Sequence, residues 1–163
     1  MRKFLLAGVV ALLGGHAALA QSPTMQFPTS PWGGYAPARI ECGRLLSANM
    51  NTTSDQAIPI SVPSATWMVS EIVVSNPSRS MTTAAGGFYS GASKSGVAVV
   101  ASGQAYSALT TANANATGNA MVATIATAGN TTAFNTKVLY LSLTTGQGAA
   151  ATADVRVFCR TLY

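Results

Sequence analysis

The residues able to do chemistry are few. Beyond residue 20 the chain holds four carboxylates, Glu41, Asp55, Glu71 and Asp154, and two cysteines, Cys42 and Cys159; its one histidine is His16. A glycosidase needs two carboxylates about 5 to 10 Å apart across a sugar cleft. Glu41 and Asp154 are the pair that neighbouring strands could bring together. Each also sits one residue from a core-facing position, where a charge is solvated or paired with Arg156 or Arg39, and that plainer reading is preferred because exposed ion pairs form cheaply. Without a histidine beyond residue 20, Ser-His-Asp and Cys-His arrangements and histidine-containing zinc sites fall away. Two thiolates alone do not complete a tetrahedral zinc site. Gly146-Gln147-Gly148 and Ala85-Gly86-Gly87 lack the lysine and following helix of a phosphate loop, and no calcium-loop pattern occurs. The expectation is a protein that is not an enzyme, with no cofactor and no metal.

The cysteines take their meaning from the compartment. Residues 1–20 have a basic start (Arg2, Lys3), an apolar run from Phe4 to Leu13, and an Ala18-Leu19-Ala20 end before Gln21. These are the three parts of a cleavable bacterial-type signal peptide, cut after Ala20. The apolar run is too short to span a bilayer, which needs about 20 residues. The expected product is an exported chain, periplasmic or extracellular, with no membrane span. In an oxidising compartment the pair Cys42 and Cys159 reads first as a disulfide, and otherwise as two buried thiols.

The elements that must hold these groups are strands. Only 8% of the residues are charged, about a third of the usual share, and Ser, Thr, Asn, Gly and Ala take their place. Once Arg2 and Lys3 leave, seven scattered basic residues face four acidic ones, so no nucleic-acid stripe is present. Residues 21–38 carry four prolines, which suit an extended arm and no sheet interior; the arm also bears Phe27, Trp32 and Tyr35. From residue 39 onward, segments of period-two hydrophobicity recur between turn residues. Arg39 to Ala48 reads as a first strand with a bulge at Gly43, and Ala57 to Val62 as an edge strand holding Pro59. Trp67 to Ser75 reads as a central strand. There Trp67, Val69 and Val73 share one largely apolar face, while Met68, Ile72 and Val74 share the other. Ser80–Ser90 and Val97–Ala101 read as a strand pair, and Ala120–Ile125 as a short strand. Lys137 to Tyr163 reads as a long β-hairpin around a Gly-rich turn, with Cys159 on its inner face.

Seven to nine strands without an amphipathic helix predict an all-β fold: a single antiparallel β-sandwich of jelly-roll type over 39–163, its first and last strands tied by the disulfide. The segments IVVSNPSRSMTTAAGGFYSGASKSG (Ile72 to Gly96) and LYLSLTTGQGAAATADVRVF (Leu139 to Phe158) resemble parts of small β-sandwich proteins of bacteriophage virions and phage-like elements. The resemblance implies a non-enzymatic structural subunit that assembles with its own copies or decorates a larger particle. A secretory leader is not usual in such subunits, so a phage part and a host-encoded exported relative both stay open. Two functions follow as expectations. The first is a secreted structural or interaction protein, with a protein partner or a homo-oligomer, using Trp32 and Tyr35 of the arm and the Trp67, Val69 and Val73 face for contacts. The second is a ligand- or carbohydrate-binding module of adhesin type, with Trp32, Tyr35, Trp67, Phe88, Tyr89 and Tyr106 as stacking candidates for a glycan.

Overall fold

In the computed structural model, which describes residues 39–110 and 119–162, the alternating segments become eight strands and one helical turn. The strands are β1 (Ile40–Asn49), β2 (Gln56–Pro59), β3 (Thr66–Ser75), β4 (Ala85–Tyr89), β5 (Ala98–Val100), β6 (Ala120–Val122), β7 (Val138–Thr145) and β8 (Thr152–Leu162). The helical turn, α1 (Thr127–Thr131), lies between β6 and β7, where no helix is expected from the Thr and Asn content. The expected leader (1–20) and arm (21–38) lie outside the described residues, Trp32 and Tyr35 with them.

The strands form two four-stranded sheets, ordered β1-β8-β3-β6 and β2-β7-β4-β5, and every pairing is antiparallel. The fold is thus the all-β sandwich that the alternation predicts. Strands pair as β1 with β8, β2 with β7, β3 with β6 and β4 with β5, so the two ends of the 39–162 segment lie side by side. A polypeptide doubled back on itself and then rolled up gives this order. Single bridges join the two sheets at both margins, Gly43 to Ile60 and Val100 to Ile125.

Residues 138–162 are not a hairpin. β7 pairs with β2 and β4, whereas β8 pairs with β1 and β3, so the two strands belong to different sheets. The apolar stripe Leu139, Leu141, Leu143 faces the stripe Val155, Val157, Cys159 across the core, and all six are buried. The connection is an arch, held where it crosses. Gln147 N–H donates to the Met50 carbonyl (2.8 Å), and Gly148 N–H donates to Asn51 Oδ1 (2.7 Å). The Gln147 side-chain carbonyl accepts from the Thr83 and Ala84 amides, both at 3.2 Å. Gly148, at φ +81°, takes a backbone conformation that side chains resist.

Three register slips set the phase of the first sheet, two on β1 (Glu41/Gly43 and Leu45/Ala48) and one on β3. The register of β1 against β8 slips between Glu41 and Gly43, close to the bulge expected there, so that Cys42 and Gly43 are both buried while Arg44 is exposed. Cys42 on β1 is bonded to Cys159 on the neighbouring β8 of the same sheet, on its core side, with Cα atoms 5.7 Å apart. On β3 the register slips between Val69 and Glu71. Trp67 and Val69 before the slip, and Ile72 and Val74 after it, all point inward and are fully buried. A single apolar face with a phase change therefore looks, in the sequence, like two apolar faces. The Trp67 indole packs on Phe134, with ring centroids 5.1 Å apart, and its Nε1–H donates to the Thr136 carbonyl (2.9 Å).

Candidate functional site: the outer face of the first sheet

The same slips decide what the β1-β8-β3-β6 sheet shows to solvent. Along β8, Asp154, Arg156, Phe158, Arg160 and Leu162 alternate with the buried residues and so point outward. Register places Val73 and Arg44 on either side of Arg156, with Val122 beyond Val73. Phe158 lies between Glu41 and Glu71. The outer face is thus an amphipathic surface in which Val73, Phe158 and Val122 sit among charged side chains.

Two ion pairs cross it. Arg39 meets Glu71 at 2.6 Å, and its guanidinium lies 4.2 Å above the Phe158 ring. Arg44 meets Glu41 at 2.6 Å. Such exposed pairs contribute at most about 1 kcal/mol each, so they order the surface more than they stabilise the fold.

Glu41 and Asp154 do not form a catalytic pair. Glu41 lies opposite Phe158, four residues along β8 from Asp154, which separates the two positions by about 13 Å. Asp154 is held at the corner of the sheet instead. It accepts from the Ser47 N–H (2.8 Å) and from the Asn76 side-chain amide (3.1 Å). Asn76, at φ 52°, donates its backbone N–H to the Asn119 carbonyl (2.9 Å) and to Asn119 Oδ1 (3.1 Å). Between this corner and Phe158 lies an open depression of about 500 Å³, lined by Val73, Ser75, Asn76, Asn119, Ala120, Asp154, Arg156 and Phe158.

The opposite sheet is partly covered: on its outer face Ala57 and Pro59 of β2 are exposed and Val138 and Tyr140 of β7 half-buried, but its centre is closed. Ser142 points outward from β7 yet is fully buried, because its hydroxyl donates to Asp55, which also accepts the Ser93 N–H. These two bonds, the Ser142 one foremost, with Lys94 nearby, hold the Asp55 carboxyl below its ordinary value of 3.8 against a small opposing effect of desolvation. Beside it, a Cβ on Gly87 would come within 2.3 Å of the Val100 carbonyl, so the chain itself crosses β4 there. Tyr89 is 5% exposed.

The expected contact residues divide accordingly. Val73 is on the open face, but Trp67 and Val69 are fully buried, which corrects their placement beside it: the slip after Val69 turns them into the core. The stacking candidates Phe88 and Tyr106 are buried as well; the Tyr106 hydroxyl donates to the Gly86 carbonyl (3.2 Å), and burial, with Tyr89 adding to it, raises its phenol well above the ordinary range. Arg156 and Phe158 had a signal in the alternation of the last strand. Val122 had less, since its strand is three residues long, and the Asn76–Asn119 contact had none, since it joins two loops 43 residues apart. No group of three or more His, Cys, Asp or Glu able to hold a metal ion is found among the described residues, and none of their helices is long and apolar enough to cross a membrane. Compared with protein-family models, with curated proteins and with solved structures, the chain matches none of them.

Proposed function

We propose that this chain is a non-enzymatic, exported interaction module with a jelly-roll fold, a self-assembling or particle-decorating subunit that works through the outer face of its β1-β8-β3-β6 sheet. One observation carries the reading. Among the described residues the three exposed large hydrophobics, Leu46 at 57%, Val122 at 58% and Leu162 at 36%, all lie on strands of that sheet and none on the other. The centre of the other sheet is covered at Ser142 and Gly87, while its β2 edge shows only the smaller Ala57 and Pro59, so the large exposed apolar side chains are concentrated on one side. The pairing of β1 with β8 through β4 with β5 supports the jelly roll, an architecture of eight strands in two sheets. The leader pattern of residues 1–20 supports export, and the buried Cys42–Cys159 bridge is compatible with an oxidising compartment. The four carboxylates support a role without catalysis, since each is already held by an ion pair or a hydrogen bond.

Light scattering on residues 21–163, with the disulfide intact, tests this. A discrete oligomer that dissociates in Val73→Asp/Val122→Asp is the expected result; a wild-type monomer at all concentrations, with no partner in its own compartment, would refute it. The depression beside Val73 favours a second reading, a ligand-binding module. It would not bind by stacking on Trp67, Phe88 or Tyr106, because those rings are inside.

A further inference from the structure

We infer that the depression between the Asn76–Asp154 corner and Phe158 is a binding site for an acidic sugar, a uronate-type residue that brings one carboxylate, several hydroxyls and a C–H face. The inference rests on the second reading above, and since Val73 lines the depression, ligand and second copy would compete for this face.

The chemistry of the lining selects this class. The wall is partly apolar, from Val73, Ala120 and Phe158, with Arg39 over one face of the Phe158 ring. That gives a C–H surface a place to pack, against a single ring already engaged by a guanidinium. The rim is polar. Asp154 is an acceptor fixed by the Ser47 amide and the Asn76 side chain, and Ser75 and the Asn76–Asn119 pair supply further hydroxyl and amide groups.

Arg156 decides the charge. The other arginines of this face near it, Arg39 and Arg44, are neutralised by Glu71 and Glu41. Arg156 has no ion-pair or hydrogen-bond partner among the described residues and lines the depression. Arg44 stands directly opposite it on β1 with its charge balanced by Glu41, so Arg156 carries the charge there that no ion pair compensates among the described residues. An arginine fork matches a carboxylate bidentately, while the fixed Asp154 carboxylate repels a second anion and accepts hydroxyls. A ligand with one carboxylate beside vicinal hydroxyls satisfies both groups; a plain anion or a neutral sugar satisfies only one.

The test is calorimetric titration of disulfide-intact residues 21–163 with oligogalacturonate, with a neutral malto-oligosaccharide and with oligoglutamate. The expected result is saturable binding of the uronate oligomer, at least tenfold weaker binding of the other two, and a further loss of about tenfold in Arg156→Gln, as for a charged hydrogen-bonded contact. Arg160→Gln, on the same strand outside the depression, should bind as wild type, and both variants should keep the wild-type unfolding midpoint. Neutral sugar binding that ignores Arg156→Gln overturns the acidic-sugar inference but leaves the second reading standing. Oligoglutamate bound as tightly as uronate, or equal losses in Arg156→Gln and Arg160→Gln, overturns it in favour of an acidic peptide or diffuse charge. No binding of any sugar at millimolar concentration removes both the inference and the reading beneath it.

Discussion

Reducing the Cys42–Cys159 bridge should cost this domain more than any single surface contact it makes. The bridge joins residues 117 apart in sequence, and it joins the strands that bring the two ends of the 39–162 segment together. On the chain-entropy model, closing a loop of that length removes about 16 cal/mol/K from the unfolded ensemble, or about 4.9 kcal/mol at 25 °C. That is comparable with the whole stability of a small domain, about 5 to 15 kcal/mol, and exceeds the at most about 1 kcal/mol of each surface ion pair. Both half-cystines are buried, so Cys42→Ala/Cys159→Ala leaves no exposed thiol and opens little space. The assay is urea unfolding followed by tryptophan fluorescence, Trp67 being fully buried. The double variant should lose about 3 to 5 kcal/mol and show a larger denaturant dependence, because its unfolded chain is less compact. A loss below about 1 kcal/mol, with unchanged slope, would refute the reasoning: the ends would then be held by β1–β8 pairing alone.

Further outcomes follow from the same geometry. Trp67→Ala should destabilise by about 3 to 5 kcal/mol, through the cavity and the loss of its contact with Phe134, whereas Val73→Asp should cost under about 1 kcal/mol; equal losses in urea titrations would mean that β3 has no phase change. A Cβ on Gly86 would lie 2.4 Å from the Leu143 backbone, so Gly86→Ala should cost about 1 to 3 kcal/mol, while Gly103→Ala, with nothing within 4 Å, should be near neutral in thermal melts. The Asp55 carboxyl is depressed on folding, so its stabilising effect is complete above pH 3.8 and fades as pH falls below that value. Hydrogen exchange in residues 91–96 should therefore speed up below pH 3.8 in the wild type and be fast at neutral pH in Asp55→Ala; an identical acid response in the two proteins would exclude the Asp55–Ser93 bond as its cause.

Much of this structure can be read from residue patterns, and the failures have a common origin. Alternation in residues 138–145 and 152–162 locates both strands and their apolar stripes correctly. It does not say whether two successive stripes lie side by side or face each other, because either arrangement buries the same residues. Here the arch through Gly148 sends them to opposite sheets, and its anchors, Met50, Asn51 and Thr83, are far away in sequence. Bulges are legible only where a residue announces them. Gly43 marks the first of the two on β1, while the second, between Leu45 and Ala48, and the one at Ser70 on β3 have no glycine, and the last is why Trp67 and Val69 read as surface residues. Pro59 correctly marks an edge strand. The site itself was half visible: Arg156 and Phe158 stand out against the buried valines between them, but the corner that makes a depression of them depends on Asn76 meeting Asn119, a contact between loops.

The central claim is that the outer face of the β1-β8-β3-β6 sheet is the working surface. Hydrogen exchange that compares the protein at high concentration with the same protein diluted below its association limit measures this directly. Slowing on association confined to residues 40–49, 68–75, 120–122 and 154–162 is the predicted footprint. Slowing on β2 and β4, with those segments unchanged, would contradict it and put the working surface on the opposite side.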